Sequence, residues 1–281
     1  MEFLKNPPKR HAFLIWKWAR TFHRDKSASL PDGTHIVASD KFNEYWSNVR
    51  IHPGEAEKAL FKRLVPEQAT IFDVGANVGL YTILAAQGCA AARIIAFEPL
   101  NRYCSDWHRN IELNRIHNAT LLQCAVNDRG GPIEFTADPG APLNNRIALA
   151  GQSTPMKEIV SAVTLDDMAS ALSIDRIHLL KIDVEGAEPR VLRGARRLLK
   201  NHAIDVIFME FIIEFMEEMG EKPAEVVAEL NDLGYSLYAV NRNGTVGERL
   251  TPTAAIDGRR VKPTDPERDF WGLNVIAKYG P

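Results

Sequence analysis

The sequence predicts an α/β domain built on a mainly parallel sheet, and three observations predict it. From Ala69 onward, short β-rich runs alternate with longer segments of helical period. Most of those runs are apolar throughout, as strands covered on both faces must be. The first run also leads through a glycine-rich turn, Asp73-Val-Gly-Ala-Asn-Val-Gly79, directly into a helical segment.

Strands are expected at 70–74, 93–97, 120–124, 178–182, 205–209, 236–240 and 273–277. Crossover helices are expected at 78–87, 102–114, 187–200 and 223–233, where apolar residues recur at helical spacing and the segments end near Gly, Asn or basic residues. A further helix, 54–64, leads into the first strand. The stretch 127–163 is rich in Gly and Pro around a short strand at 133–135 and reads as an insertion over the sheet. A second irregular stretch, 241–269, carries Asn-Gly, Thr-Pro and Asp-Pro turn signals; both stretches are suited to shaping a substrate pocket. Residues 1–53 are read as a helical or irregular extension and 54–281 as the main domain.

At 281 residues with 45% hydrophobic and 25% charged side chains, the chain supports one large core and not two full domains. The 34 basic and 36 acidic side chains leave a formal net charge of −2, which gives nucleic acid no overall attraction. Cys89, Cys104 and Cys124 are an odd set without CxxC spacing and read as reduced core thiols. The N-terminal apolar stretch is interrupted by Lys17 and Arg20 and does not read as a signal peptide. No stretch reaches the roughly 20 apolar residues of a membrane helix, so a cytoplasmic protein is expected. Phe13, Trp16, Trp18 and Phe22 among basic residues suit peripheral membrane contact, packing on the domain itself, or a homo-oligomer contact.

The turn concentrates the candidate chemistry. Gly75 can adopt a backbone conformation closed to other residues and admits a ligand to the main chain, and Gly79 lets the next helix pack closely on the strand. The helix start should offer unpaired N–H groups to a carboxylate, with Asp73 placed for an ammonium group. A dinucleotide site would show GxGxxG, but Asn77 stands at the middle glycine position. Glu98, nineteen residues after Gly79 at the end of the next strand, is placed to accept both hydroxyl protons of a ribose. After the third strand, Ala125 and Val126 could flank a flat base.

The fourth strand ends Lys181-Ile-Asp-Val-Glu-Gly-Ala-Glu188 and the fifth Met209-Glu210, bringing further charges to the same edge. Asp183 and Glu210 are candidates to face a transferred group. Lys181 either polarises an acceptor oxygen or forms a buried ion pair with Asp183 or Glu185. Glu188 is expected to charge the first turn of a helix. Asp183, Glu185 and Glu210 are too few assured oxygen ligands for a hard cation, and no metal is assigned.

The stretch from Gly54 to Lys278 resembles the FkbM family of S-adenosylmethionine-dependent methyltransferases. The carriers are FDVGANVGLYT at 72–82, AFEP at 96–99, RNIELN at 109–114, AVNDRGG at 125–131 and LLKIDVEGAEPRVLRGA at 179–195. The resemblance implies a Rossmann-like class I fold, a seven-stranded mainly parallel sheet with helices on both faces, and S-adenosyl-L-methionine as donor. It also implies O-methylation of a hydroxyl on a sugar, glycoside or secondary metabolite. By position it places Asp73, Gly75, Ala76, Asn77, Gly79, Tyr81, Glu98 and Pro99 around the methionine and ribose, Ala125 and Val126 around the adenine, and Asp183 near the sulfonium.

An alcohol must lose its proton as it is methylated, so Asp183, Glu210 or His52 is the expected base, with Lys181 beside them; His52 also reads as a surface histidine next to Pro53. The rival readings are a nicotinamide-dependent oxidoreductase, a nucleic-acid or other N-methyltransferase, and a non-catalytic cofactor-binding protein. Asn77 in the turn argues against the first. Against the second stand the near-neutral charge and Asp183-Val-Glu-Gly where an Asn/Asp-Pro-Pro-aromatic motif would lie. The partner expected is a small-molecule or glycan hydroxyl, not nucleic acid.

Overall fold

The computed structural model describes residues 27–30, 32–38, 54–137, 145–149, 156–241, 243–252 and 272–280. In chain order these form β1 (Ser27–Ser29), β2 (His35–Val37), α1 (Glu55–Leu64), β3 (Thr70–Val74), α2 (Leu80–Gly88), β4 (Arg93–Phe97), α3 (Asn101–Leu113) and β5 (Ala119–Leu122). There follow β6 (Ala125–Val126), β7 (Gly131–Thr136), β8 (Lys157–Val163), α4 (Leu165–Ala171), β9 (Ile177–Ile182), α5 (Glu188–Arg193) and α6 (Arg196–Lys200). The chain continues through β10 (Ile204–Ile212), α7 (Ile213–Glu218), α8 (Pro223–Asp232), β11 (Tyr235–Val240), β12 (Val246–Arg249) and β13 (Gly272–Tyr279).

The main sheet has the order β12-β11-β13-β10-β9-β3-β4-β5. The five strands from β10 to β5 run parallel, while β13 is inserted antiparallel between β10 and β11 and β12 pairs antiparallel with β11. The sheet therefore has eight strands, not the seven expected. The additional one lies in the stretch read as loop: after β11, Asn241 and Thr245 close a tight turn, with Asn241 N–H donating to Thr245 O at 2.9 Å, and the chain doubles back as β12. The other expected strands are present with ends shifted by a few residues.

Alternation along the parallel strands divides the core between the two faces. Phe72, Val74, Leu180, Ile182, Ile207 and Met209 pack with Leu165, Val191, Leu198, Met216 and Val227 from α4 to α8. On the opposite face Ile71, Ile94, Ala96, Leu179 and Phe208 meet Leu60 and Phe61 of α1, Ile83 and Leu84 of α2 and Trp107 of α3. Burying each large side chain contributes about 1.5–3 kcal/mol. Helices thus cover both faces, as the apolar strands required.

The expected strand at 120–124 divides. β5 ends at Leu122, Cys124 N–H turns back to Leu122 O at 2.9 Å, and Ala125–Val126 begins a second sheet of order β6-β8-β7. Much of the stretch read as an irregular insertion is this small sheet. The single helix expected at 187–200 is likewise two. The Gly194 carbonyl is diverted to Asp166 N–H at 2.9 Å, and the Asp166 carboxylate receives Arg197 and Leu198 N–H at 2.8 and 3.0 Å, capping α6.

Residues 27–38 contain a hairpin that sequence patterning did not signal. Its strands have three residues each, and it is held from outside: Asn110 accepts from Val37 N–H at 2.6 Å and donates to Val37 O at 2.9 Å, and Leu30 and Ile36 enter the α1–α3 face of the core. No helix among the described residues is long and apolar enough to cross a membrane. The aromatic residues 13–22, on which membrane and oligomer contacts were expected, lie outside the described residues.

Candidate active site

The carboxyl ends of β4, β3, β9 and β10 form one edge. The chain runs outward from β3 through β4 to β5, then crosses back to β9, so the strand order reverses between β3 and β9; such a reversal opens a crevice at the carboxyl ends of an α/β sheet. Register places Asp73 opposite Lys181, and Lys181 opposite Phe208, two residues before Glu210.

Lys181, 2% exposed, is the hub of this edge. Its Nζ donates to Gly75 O at 3.1 Å, lies 3.3 Å from Asp183 Oδ2 and 3.5 Å from Asp73 Oδ1, and stands 4.7 Å above the Tyr81 ring. Burial disfavours its charge, but Asp183 and Asp73 outweigh burial and hold the ammonium above its usual range. Of the two sequence readings of Lys181, the geometry matches the buried ion pair. Tyr81 is bound in turn: its hydroxyl donates to Glu57 Oε1 at 2.6 Å, and burial followed by the Glu57 charge drives its ionisation well upward.

Asp73 accepts from Thr82 Oγ1 at 2.6 Å through Oδ2, and Trp107 Nε1 donates to that threonine oxygen at 3.1 Å. Sequence reasoning missed Thr82, Trp107 and Glu57. Thr82 falls within the matched string and Glu57 on a recognised helix, but nothing local says which way either side chain turns. Asp73 Oδ1, with the Lys181 ammonium 3.5 Å away, is buried without a hydrogen-bond partner and can accept from a further donor.

The turn corrects one expectation, the role of Gly79. The N–H groups of the turn itself are used internally: Gly75 and Ala76 donate to Phe97 O at 3.0 and 2.9 Å, Asn77 to Glu98 Oε2 at 3.0 Å, Val78 to Asn77 Oδ1 at 2.8 Å and Gly79 to Ala76 O at 2.8 Å. What remains for a ligand carboxylate is the start of α2 at Leu80. Gly79 makes room for α3 and not for its own strand, since a Cβ there would stand 2.8 Å from Trp107 Cδ1. Gly75, at φ +76°, is demanded by close approach, because a Cβ would lie 1.8 Å from Asp183 O.

Glu98 is 5% exposed and divides its oxygens between Asn77 N–H and, at 2.9 Å, Leu100 N–H. Single use of each oxygen leaves lone pairs for hydroxyl donors. Pro99 beside it is buried. Ala125 and Val126 are buried in β6, and the next residue, Asn127, has a buried Oδ1 without a partner. The sequence names the pair before it for the faces of a flat base, and a polar side chain following them suits the edge of that base. Asp73 Oδ1, Asn127 Oδ1 and the open lone pairs of Glu98 can each accept from an ammonium, amine or hydroxyl donor, groups that S-adenosylmethionine carries.

Glu188 lies in the first turn of α5, as expected, and does more than charge it. It is fully buried, and its Oε1 accepts from Val184 and Gly186 N–H at 3.1 and 3.3 Å, tying together the loop between β9 and α5. Burial, opposed by these hydrogen bonds, pushes Glu188 up to about 7, and burial against the Leu100 and Asn77 bonds does the same for Glu98. Each carboxyl holds its proton more tightly folded than unfolded. The stability this confers is complete below the unfolded value near ~4.3 and is lost as pH rises through about 7. Thermal unfolding is therefore expected to show a Tm that declines across that window. Glu188→Gln, whose carbonyl can keep both N–H bonds, should flatten the decline; an unchanged slope would count against the assignment.

Glu210 acts electrostatically on Lys181 and Tyr81, which places it at the same edge. Arg146, 7% exposed, reaches the neighbourhood from the insertion: it pairs with Glu218 and lies 4.0 Å over the Phe215 ring of α7. No sequence signal distinguished it from other arginines. His52 lies outside the described residues. Among those residues, no group of three or more His, Cys, Asp or Glu side chains could hold a metal ion. The three cysteines are free, and burial pushes Cys104 and Cys124 up to about 12 and about 11.

A switch-point crevice with a glycine turn, an acidic residue closing the second strand and a buried lysine between aspartates defines a Rossmann-like methyltransferase domain, with S-adenosylmethionine as methyl donor. Residues 73–237 match the model described as the methyltransferase FkbM domain, and the chain belongs to that family. Methyltransferase 1 of Beauveria bassiana (strain ARSEF 2860) is 29% identical over 147 residues, 46% of this chain and 59% of that protein; the match thus spans less than two thirds of that relative. The 31-O-demethyl-FK506 methyltransferase FkbM of Streptomyces tacrolimicus is 28% identical over 213 residues, 66% of this chain and 79% of its own. The 2-O-methyltransferase NoeI of Sinorhizobium fredii (strain NBRC 101917 / NGR234) is 23% identical over 237 residues, 79% of this chain and 95% of its own.

Proposed function

We propose that the chain is an S-adenosylmethionine-dependent O-methyltransferase acting on a hydroxyl of a sugar, glycoside or secondary metabolite. The observation that carries this reading is the acidic end of the edge, where Asp183 and Glu210 lie beyond the buried lysine. Carboxylates accept hydrogen bonds from hydroxyl groups and can take their protons. Two relatives whose names specify O-methylation support the same reading.

In this reading Asp73 Oδ1 receives the donor's ammonium, the start of α2 its carboxylate, and Glu98 the ribose hydroxyls. Gly75, Ala76, Asn77, Gly79 and Pro99 shape the turn around it, with Tyr81 beneath Lys181 as part of the floor. Ala125, Val126 and Asn127 receive the adenine. When bound, the donor supplies an electrophilic methyl group on a sulfonium. Asp183 and Glu210 face that methyl and orient the acceptor, and Lys181 keeps Asp183 and Asp73 in register. Such alignment contributes on the order of 7–11 kcal/mol to the barrier reduction.

The experiment is a comparison of glycans and metabolites from cells with and without the protein by mass spectrometry, followed by transfer of labelled methyl from S-adenosylmethionine to the compound that changes. A one-methylene mass difference on a hydroxyl-bearing molecule is expected. Transfer to RNA or DNA, or tight donor binding with no S-adenosylhomocysteine released on any hydroxylated acceptor, would overturn the reading.

A further inference from the structure

We propose that Glu185 takes the proton from the acceptor hydroxyl, with Arg146 as a positioning residue that governs its charge. This rests on the O-methyltransferase reading and adds a residue that sequence reasoning treated only as a charge near a helix start.

Glu185 is one of six described non-glycine residues at positive φ; it stands at φ +55° and is followed by Gly186 at φ +98°. Left-handed conformations at such a residue persist where surroundings impose them, and they concentrate at functional sites. Here two contacts impose them: Glu188 Oε1 binds the N–H groups on either side of Glu185, and a Cβ at Gly186 would stand 2.7 Å from the backbone carbon of Phe215. The loop is held on the face where α7 meets the ends of β9 and β10.

The Glu185 carboxyl is also uncommitted. Among the described residues it has no hydrogen bond and no ion pair, whereas Asp183 is held by Lys181 and Glu188 by two N–H groups. A carboxylate paired with an ammonium is a weakened base, and one facing other carboxylates is a strengthened one. Glu185 is partly buried and senses Asp183 from the end of β9, Glu210 from β10 and Glu188 from α5. The opposing charge is Arg146, from the segment at 145–149. Arg146 is itself bound to Glu218 through Nη2, while its Nη1 is buried and has no partner. Burial, followed by the Asp183, Glu210 and Glu188 charges, drives Glu185 well above the ordinary carboxylate range, against Arg146. A base raised toward the working pH is the efficient one for an alcohol.

The step balances within the site. The acceptor O–H proton moves to a Glu185 carboxylate oxygen as the hydroxyl oxygen forms its bond to the methyl carbon. The C–S bond breaks with its electron pair left on sulfur, giving the neutral thioether, and Glu185 then returns the proton to solvent.

The test has two readouts on the full chain. Difference infrared titration should show a protonated carboxylic acid persisting above about pH 5, where ordinary carboxyls are ionised. Glu98 and Glu188 contribute to that signal as well, so the Glu185 component is the part lost in Glu185→Gln; it should remain in Asp183→Asn and shift to higher pH in Arg146→Gln. With S-adenosylmethionine and a panel of neutral methyl glycosides and macrolide alcohols, Glu185→Gln should lose about 10²-fold or more in kcat. It should bind S-adenosylhomocysteine in calorimetry as the wild type does. An ordinary titration of Glu185, or a Glu185→Gln enzyme with near wild-type kcat, overturns the proposal. If the wild type methylates none of the panel, the hydroxyl reading fails, and the infrared titration still decides Glu185: an ordinary titration overturns it, and a raised one moved upward by Arg146→Gln supports it.

Discussion

Gly75→Ala is expected to destabilise the protein by more than about 3 kcal/mol and to abolish measurable donor binding. The left-handed φ of +76° costs an alanine about 1–2 kcal/mol by itself. The larger cost is steric, since the new Cβ would fall 1.8 Å from Asp183 O. That carbonyl cannot retreat cheaply. Asp183 N–H donates to Val74 O at 3.0 Å, so moving it parts β3 from β9 at the switch point, and Lys181 loses its bond to Gly75 O. Gly33→Ala separates the two contributions: Gly33 has φ +84° but nothing within 4 Å of an added Cβ, so it should lose only the conformational part. Denaturant unfolding of both variants and calorimetry with S-adenosylhomocysteine make the comparison. Equal losses in the two would show that the contact with Asp183 does not matter.

Lys181→Met should cost about 3–5 kcal/mol near neutral pH, because it leaves buried Asp73 and its neighbour Asp183 without the ammonium that holds them. The deficit should shrink at acid pH. A protonated carboxyl needs no counter-charge, so the variant regains stability relative to wild type as the solution is acidified. Unfolding measured near pH 5 and pH 8 tests this. A variant within about 1 kcal/mol of wild type at both values would show that the triad adds nothing to stability.

The two variants mark where sequence reading stops. The strand run at 70–74, the turn and the following helix were legible because each rests on local geometry, and Glu98 was legible because it ends the neighbouring strand. The purpose of the glycines was not legible. Gly75 yields to a carbonyl 108 residues later and Gly79 to Trp107, contacts that no spacing rule contains. Nor was it legible that Phe97 O and Glu98 take three of the turn amides, because β4 passes beside the turn. β12 and the 27–37 hairpin were missed because short strands carry little periodicity and are held by partners distant in sequence.

By itself, then, the sequence determined the α/β class, the order of strand, turn and helix at the site, and the family. These are written in apolar periodicity and short strings that act over a few residues. Only the tertiary structure decided that Lys181 joins Asp73 to Asp183, that Thr82 and Trp107 hold Asp73, that Glu188 closes the loop, and that Arg146 pairs with Glu218 over the Phe215 ring. Charges pair according to distance in space and the absence of water between them, and strand order together with the packing of α1, α2 and α7 sets both.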